Sequence, residues 1–179
     1  MIAMRALRAP GLVLEPQLAS HADAMFSLLN DTEVYTYLDG EPPKSAAALR
    51  EYFKLLELRV STDGRELWLN WAIRLGTGEL AGFVQATVRE GELGWAAFVV
   101  GRAFWGRGIG HLATRAMLDD LTANEGVKLW LATADRRNER SIRLLSRLGF
   151  TLAPPALWRA HEVDEGDVLM SRGPTAPAL

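Results

Sequence analysis

The sequence predicts an α+β fold: a mixed, mostly antiparallel sheet of about six to seven strands with helices on both faces. Three observations carry this expectation. Two early segments repeat apolar residues at helical spacing, and from Glu66 the period shortens to two. From Leu93 onward, strand-like runs alternate with amphipathic segments.

Taken in order, Leu12-Val13-Leu14-Glu15-Pro16 reads as a short strand that proline ends. Ser20 is placed to cap a helix whose apolar stripe is Ala22, Met25, Phe26 and Leu29. Asn30-Asp31 breaks it, and Thr32 to Leu38 reads as a short helix or turn before the loop Asp39-Gly40-Glu41-Pro42-Pro43. Ser45 caps a second helix with Leu49, Phe53, Leu56 and Val60 on one stripe, stopping before Asp63-Gly64. Leu67, Leu69, Trp71, Ile73 and Leu75 then alternate with more polar neighbours, the pattern of a half-buried strand. Gly76-Thr77-Gly78 turns into the return strand Leu80–Arg89, and Glu90-Gly91 turns again into Leu93–Val100. That run is apolar on both faces, which suits the middle of a sheet. A glycine-rich turn and the helix His111–Ala123 follow, then a strand Val127–Ala134 and a helix Asn138–Leu148. Two weaker strands are expected around Ala156–Glu162 and Asp167–Arg172. The length of 179 residues suits one domain, with its core over 12–172 and a loose tail over 173–179.

Composition narrows the classes of function. With 49% hydrophobic and 23% charged residues the chain reads as soluble and globular. A net charge of −2 offers no basic footprint for nucleic acid. The absence of cysteine removes disulfides, thiolate metal sites and a cysteine nucleophile, and suits a reducing cytoplasm. No apolar run reaches the length of a membrane span, and Leu12-Val13-Leu14 makes no convincing signal-peptide core. His21 and His161 have no neighbours in a metal-ligand pattern, so no metal is expected.

The informative stretch is Val99 to Phe150. Gly106, Gly108 and Gly110 fall at every second position between an apolar run and a helix. Bare glycine backbone lets a turn take unusual dihedrals and approach a ligand closely. The first N–H groups of the following helix favour an anion, so the stretch reads as a phosphate cradle. Arg102 and Arg107 place positive charge beside it. A dinucleotide fingerprint would put the third glycine later, and Glu125 precedes a strand instead of ending one. A nucleotide P-loop would need Gly-Lys-Ser/Thr, which is absent.

The cradle Trp105-Gly106-Arg107-Gly108-Ile109-Gly110 is followed, after a further strand, by Asn138-Glu139-Arg140-Ser141 and then Leu148-Gly149-Phe150. In this order and spacing the chain resembles the GNAT superfamily of N-acetyltransferases, and in particular its RimJ/RimL branch. Trp105 departs from the superfamily's usual Arg or Gln, but is similar to that branch. The resemblance implies acetyl-CoA as cofactor and an acetyl group passed directly to a primary amine, on a protein N-terminus or a small molecule. It also implies that Phe98, Val99 and Val100 part from the neighbouring strand and pair with the pantetheine arm. The amides of Arg107, Gly108, Ile109 and Gly110 would then take the pyrophosphate, with Gly106, Trp105 and His111 beside them. Asn138 would contact the pantetheine, and Ser141 would lie near the sulfur. Asn138 also has a purely structural use as a helix N-cap, with Ser141 three residues on. The resemblance leaves room for a homodimer.

Chemistry sets the remaining expectations. Many relatives carry a tyrosine at the position of Leu145 to protonate the departing thiolate, and leucine cannot do so. Ser141 or water would carry that load, which is light for a thiol of pKa about 8.5. An α-amine of pKa about 7.7–8.0 needs little help to lose its proton, whereas a lysine-like amine near 10.4 needs a placed base. Glu92, at the start of the central strand, is the first candidate for that base, and Glu66 the second. Arg136, Arg137, Arg140 and Arg143 gather around Asn138, as a solvated helix face or as partners of the adenosine phosphates. Trp95 is a candidate wall of the acceptor slot. Acceptor specificity is expected from the segments 31–41 and 155–166, whose acids Asp39, Glu41, Glu162, Asp164 and Glu165 would suit a cationic acceptor. The rival from another class is a CoA-binding module without turnover.

Overall fold

The computed structural model describes residues 4–89 and 92–173. The Glu90-Gly91 turn and the tail beyond Gly173 lie outside them. Strands β1 (Leu7–Ala9), β2 (Leu12–Pro16), β3 (Glu66–Leu75), β4 (Leu80–Arg89) and β5 (Leu93–Val100) pair antiparallel, each with the next. β6 (Leu129–Asp135) lies parallel to β5, and β8 (Asp167–Arg172) lies antiparallel between β6 and β7 (Thr151–Leu152). The sheet thus has eight strands in the order β1-β2-β3-β4-β5-β6-β8-β7. The strand count is slightly above the six to seven expected, because β1 and β7 are too short to leave a pattern.

Helices cover both faces. On one, α3 (Ile109–Asn124) and α4 (Glu139–Arg147) bury Met117, Leu118, Leu121 and Leu145 against Val84, Ala86 and Ala96. On the other, α1 (Ala22–Leu29) and α2 (Ala46–Leu56) bury Met25, Leu29, Leu49 and Phe53 against Ala72 and Leu80. This double cover corrects the half-buried reading of β3. Leu69, Asn70, Trp71, Ala72 and Ile73 are all buried, one after another. Val60 lies beyond α2 and forms a bridge to Leu67 instead of continuing the helical stripe.

Two local expectations also change. Residues expected as a strand around Ala156–Glu162 begin as α5 (Pro155–Ala160), because Pro155 sits in the first turn, where its fixed φ favours a helix. Trp158 then packs beside Leu131 and Leu169 and donates its indole N–H to Ala153 O at 3.0 Å. Ser20 is not the cap of α1. It lies in a 3-10 turn (Ala19–His21), where the Leu18 N–H donates to His21 Nδ1 at 3.0 Å. Ser45 does cap α2, its Oγ accepting from Ala48 N at 3.0 Å.

Two positions yield tests. Gly82 has φ +145°, and a Cβ there would come within 2.0 Å of Val99 O, so β4 and β5 meet without room for a side chain. Gly82→Ala is expected to cost about 2–4 kcal/mol, read as a lower urea midpoint at unchanged slope. Burial holds the His21 imidazole below the ordinary histidine value despite Glu15, whose carboxylate lies 3.3 Å from Nε2. Its Nδ1 accepts a hydrogen bond, so the folded state favours the neutral ring. A depressed folded pKa means the unfolded chain takes up the proton first. This contribution is therefore present above about pH 6.5 and is lost as the pH falls toward the folded value. Urea midpoints measured downward from pH 7 should show the decline, with a shallower slope in His21→Asn.

Candidate active site

β5 and β6 pair only at Leu93↔Leu129, Gly94↔Trp130 and Trp95↔Leu131. Beyond Trp95 the strands part, while β5 keeps its pairing to β4 as far as Val100. The Gly101 N–H donates to Ala81 O at 2.9 Å, so by the alternation of an antiparallel ladder Val99 also turns its polar groups to β4. Phe98 and Val100 therefore turn theirs toward the gap. The Val100 carbonyl is already taken, accepting from Trp105 Nε1 at 2.7 Å.

The gap widens into a cleft of about 910 Å³ between the loop Trp105–Gly110, the start of α4 and the segment 33–38. At its floor Gly106 and Gly108 both have φ +75°, with open space where a Cβ would stand. Glycine is needed there for the dihedral, not for room. Gly110 is different: a Cβ would meet Leu144 Cδ1 at 3.0 Å and Val100 Cγ2 at 3.3 Å, which fixes the start of α3 against α4 and β5. Among the described residues, the N–H groups of Gly106, Arg107, Gly108, Ile109, Gly110 and His111 donate to no protein acceptor. The first four residues of a helix and its approach loop leave such groups for an outside partner.

Phe98, Val99, Val100, Trp105, Gly106, Gly108, Ile109, Gly110, His111, Asn138 and Ser141 all line this cleft. Asn138 caps α4, its Oδ1 accepting from Ser141 N at 3.1 Å, and Ser141 is half-buried. Arg102 and Arg107 do not line it. Arg102 is exposed at the start of a 3-10 turn, and Arg107 lies over the Phe104 ring at 5.6 Å.

Glu92 stands apart, and its placement as the base is at odds with the structure. It precedes β5 at the wrong end, six positions and about 20 Å of strand from Phe98. Its carboxylate pairs with Lys128 Nζ at 2.8 Å. Glu66 is likewise engaged, by Arg89 at 2.6 Å and by the Trp68 indole N–H at 3.0 Å. Leu145 is 1% exposed and belongs to the core, while Leu144 faces the cleft.

Glu33, Val34, Thr36, Tyr37 and Leu38, within the segment 31–41 expected to set acceptor specificity, form the far wall. Of the acids on the lining, Glu139 is tied to Arg143 at 2.8 Å, whereas the Glu33 carboxylate has no partner among the described residues. The arginines divide in the same way. Arg136 donates to the carbonyls of Glu165, Gly166 and Asp167, away from the cleft. Arg137 grips Asp135 at 2.6 Å and, by doing so, lowers that carboxyl to about 2. Arg140 lies over the Trp105 ring at 4.8 Å, bridging the loop and α4. Trp95 packs edge-on against His161 at 5.3 Å and does not line the cleft. Asp167 is pushed up by burial and then by Asp39, Asp135 and Asp164, so separate segments bring their acids together.

Among the described residues no helix is long and apolar enough to cross a membrane. Solved structures of similar shape include RimL, the ribosomal L7/L12 α-N-protein acetyltransferase in complex with coenzyme A. It has a TM-score of 0.77 and 19% identity, covering 94% of this chain and 97% of that one. An acetyltransferase of the GNAT family from Bacillus anthracis has a TM-score of 0.72 at 16% identity, covering 94% and 98%. Spermidine N-acetyltransferase from Vibrio cholerae, in complex with CoA and spermine, has a TM-score of 0.72 at 16% identity, covering 91% and 95%. At these identities the likeness is one of fold. Comparison with curated protein sequences gives no significant match. The acetyltransferase (GNAT) domain family matches residues 12–151, and GNAT acetyltransferases use acetyl-CoA. With that match spanning most of its length, and with the cleft lying where its two sequence motifs meet, the chain belongs to the GNAT acetyltransferase family.

Proposed function

We propose that the protein is an acetyl-CoA-dependent N-acetyltransferase that passes the acetyl group straight to a primary amine. The observation that carries this reading is the row of unpaired N–H groups from Gly106 to His111, set where β5 parts from β6. Six donors at a helix start, with the dipole behind them, suit a diphosphate. The polar groups of Phe98 and the N–H of Val100 suit an extended, amide-bearing arm laid along the strand edge. Bound acetyl-CoA supplies the acetyl group as a thioester, activated toward amines.

The chain's own residues then position and move protons. Holding two reactants in near-attack geometry contributes roughly 7–11 kcal/mol, and the cleft floor does this for the thioester. Ser141, half-buried behind the Asn138 cap, is placed to donate its hydroxyl proton toward the departing sulfur. Asp135, held to about 2 by Arg137, stays charged at neutral pH and is too weak a base to deprotonate an ammonium. Glu33 has the access that Glu92 lacks, and it takes the amine's proton directly or through water. No cysteine thiol is present to carry the acetyl group between donor and acceptor, which favours direct attack. The acceptor is an α-amine of a protein N-terminus or a small amine, and the acids Asp39 and Asp164 beside Asp135 and Asp167 favour one that arrives as a cation. The chain acts as one domain, whose core takes in Leu7 of β1 as well as the expected span 12–172.

A second reading, a CoA-binding module without turnover, is favoured by the buried Leu145 and the distant Glu92. Calorimetry with CoA, followed by turnover on a panel of N-terminal peptides, polyamines and amino acids, separates the two. Binding with no turnover on any acceptor selects the second. Gly108→Ala places a side chain at φ +75° and is expected to weaken CoA binding about tenfold, because it turns the loop's N–H groups away. Unchanged affinity would remove the cradle. Ser141→Ala is expected to lower kcat about tenfold while CoA affinity stays within about twofold. An equal fall in affinity would make Ser141 a binding residue only.

A further inference from the structure

Behind the cleft, between α3 and α4, lies a smaller pocket of about 130 Å³ lined by His111, Arg115, Asp119, Arg147, Leu148 and Arg172. It shares His111 and Arg147 with the cleft, so the two spaces adjoin at these side chains. His111, Arg115 and Asp119 are four residues apart on α3 and therefore stand on one face of the helix. Asp119 lies between two arginines at long range, 3.6 Å from Arg115 Nε and 3.4 Å from Arg172 Nη2. Arg147 has no ion-pair or hydrogen-bond partner among the described residues. His111 Nδ1 is buried with no hydrogen-bond partner. Three guanidinium groups thus face one carboxylate, an excess of two positive charges, beside an orphaned ring nitrogen.

A buried polar atom without a partner and an uncompensated cationic pocket both call for an anion. The position says which. The bare N–H groups end at His111, and Arg115 is one helical turn, about 6 Å, further along α3. A diphosphate seated on those N–H groups carries, one ribose away, the 3′-phosphate of CoA. We propose that this pocket binds a phosphate monoester, the 3′-phosphate of CoA, and so makes the protein discriminate CoA from dephospho-CoA. A dianion matches the excess charge, and Asp119 holds Arg115 and Arg172 in place without neutralising both. The inference rests on the reading of the cleft as the CoA site and goes beyond it by assigning residues that neither sequence motif contains.

The test is calorimetry of the full chain with CoA, dephospho-CoA and inorganic phosphate. Dephospho-CoA is expected to bind about tenfold more weakly than CoA, the worth of two or three partly exposed charge pairs. Arg115→Gln, at an exposed helix position, should bring CoA down to the dephospho-CoA level and leave dephospho-CoA itself unchanged. Inorganic phosphate should compete with CoA more strongly than with dephospho-CoA. Equal affinity for the two cofactors overturns the inference and leaves the cleft reading standing. So does a discrimination that survives both Arg115→Gln and Arg172→Gln, or phosphate that weakens both cofactors alike. If neither cofactor binds, the cleft reading fails and this inference with it.

Discussion

The site exists because two neighbouring strands stop pairing. β5 and β6 share three residue pairs, then separate while each continues as a strand. An unpaired strand edge inside a folded protein is costly unless something satisfies or covers it. Here helix ends keep the gap from closing. α3 follows β5 through the glycine loop, α4 follows β6 after a short turn, and at Gly110 the first turn of α3 touches both Val100 and Leu144. On its other edge β5 is locked to β4, where Gly82 admits the Val99 carbonyl without a side chain between them. With one edge locked and the helix starts wedged at the other, the backbone of Phe98 and the N–H of Val100 are left for an extended ligand.

Much of this was legible in the chain, because the residues involved meet local physical demands. Positive φ at Gly106 and Gly108 excludes nearly every other residue, and a helix that starts at Glu139 needs an acceptor such as Asn138 just before it. The segment around Tyr37 and Leu38 carries no such demand. It reaches the cleft through packing between distant parts of the chain, which no local pattern records. Glu92 is a miss. The strand is eight residues long and the glycine turn follows its far end, so the strand's own length argues against a residue at its start.

The fold shows the same division. Period-two alternation located β3 and β4, but it cannot tell a strand covered on one side from one covered on both. Asn70 is 3% exposed because α1 and α2 lie over that face. The strand expected near Ala156 failed for a local reason, Pro155, which starts a helix more readily than it joins a ladder. β1 and β7, of three and two residues, exist through their partners and are too short for any period to show.

Net charge is the least informative quantity of all for this site. The chain is slightly acidic, yet four arginines of one short stretch, Arg137, Arg140, Arg143 and Arg147, line a single cleft. Counting them overstates the field. Arg137 and Arg143 spend their charge on Asp135 and Glu139, and those carboxylates in turn hold the guanidinium planes in fixed places. Arg140 rests on the Trp105 ring, where it joins the loop to α4 while keeping its charge uncompensated by any carboxylate among the described residues. Arg147 has no such partner either. The wall is therefore two fixed arginines and two uncompensated ones, alternating from Arg137 just before α4 to Arg147 at its end. Attraction for an anion comes from the second pair and shape from the first, and a sum of charges over the chain records neither.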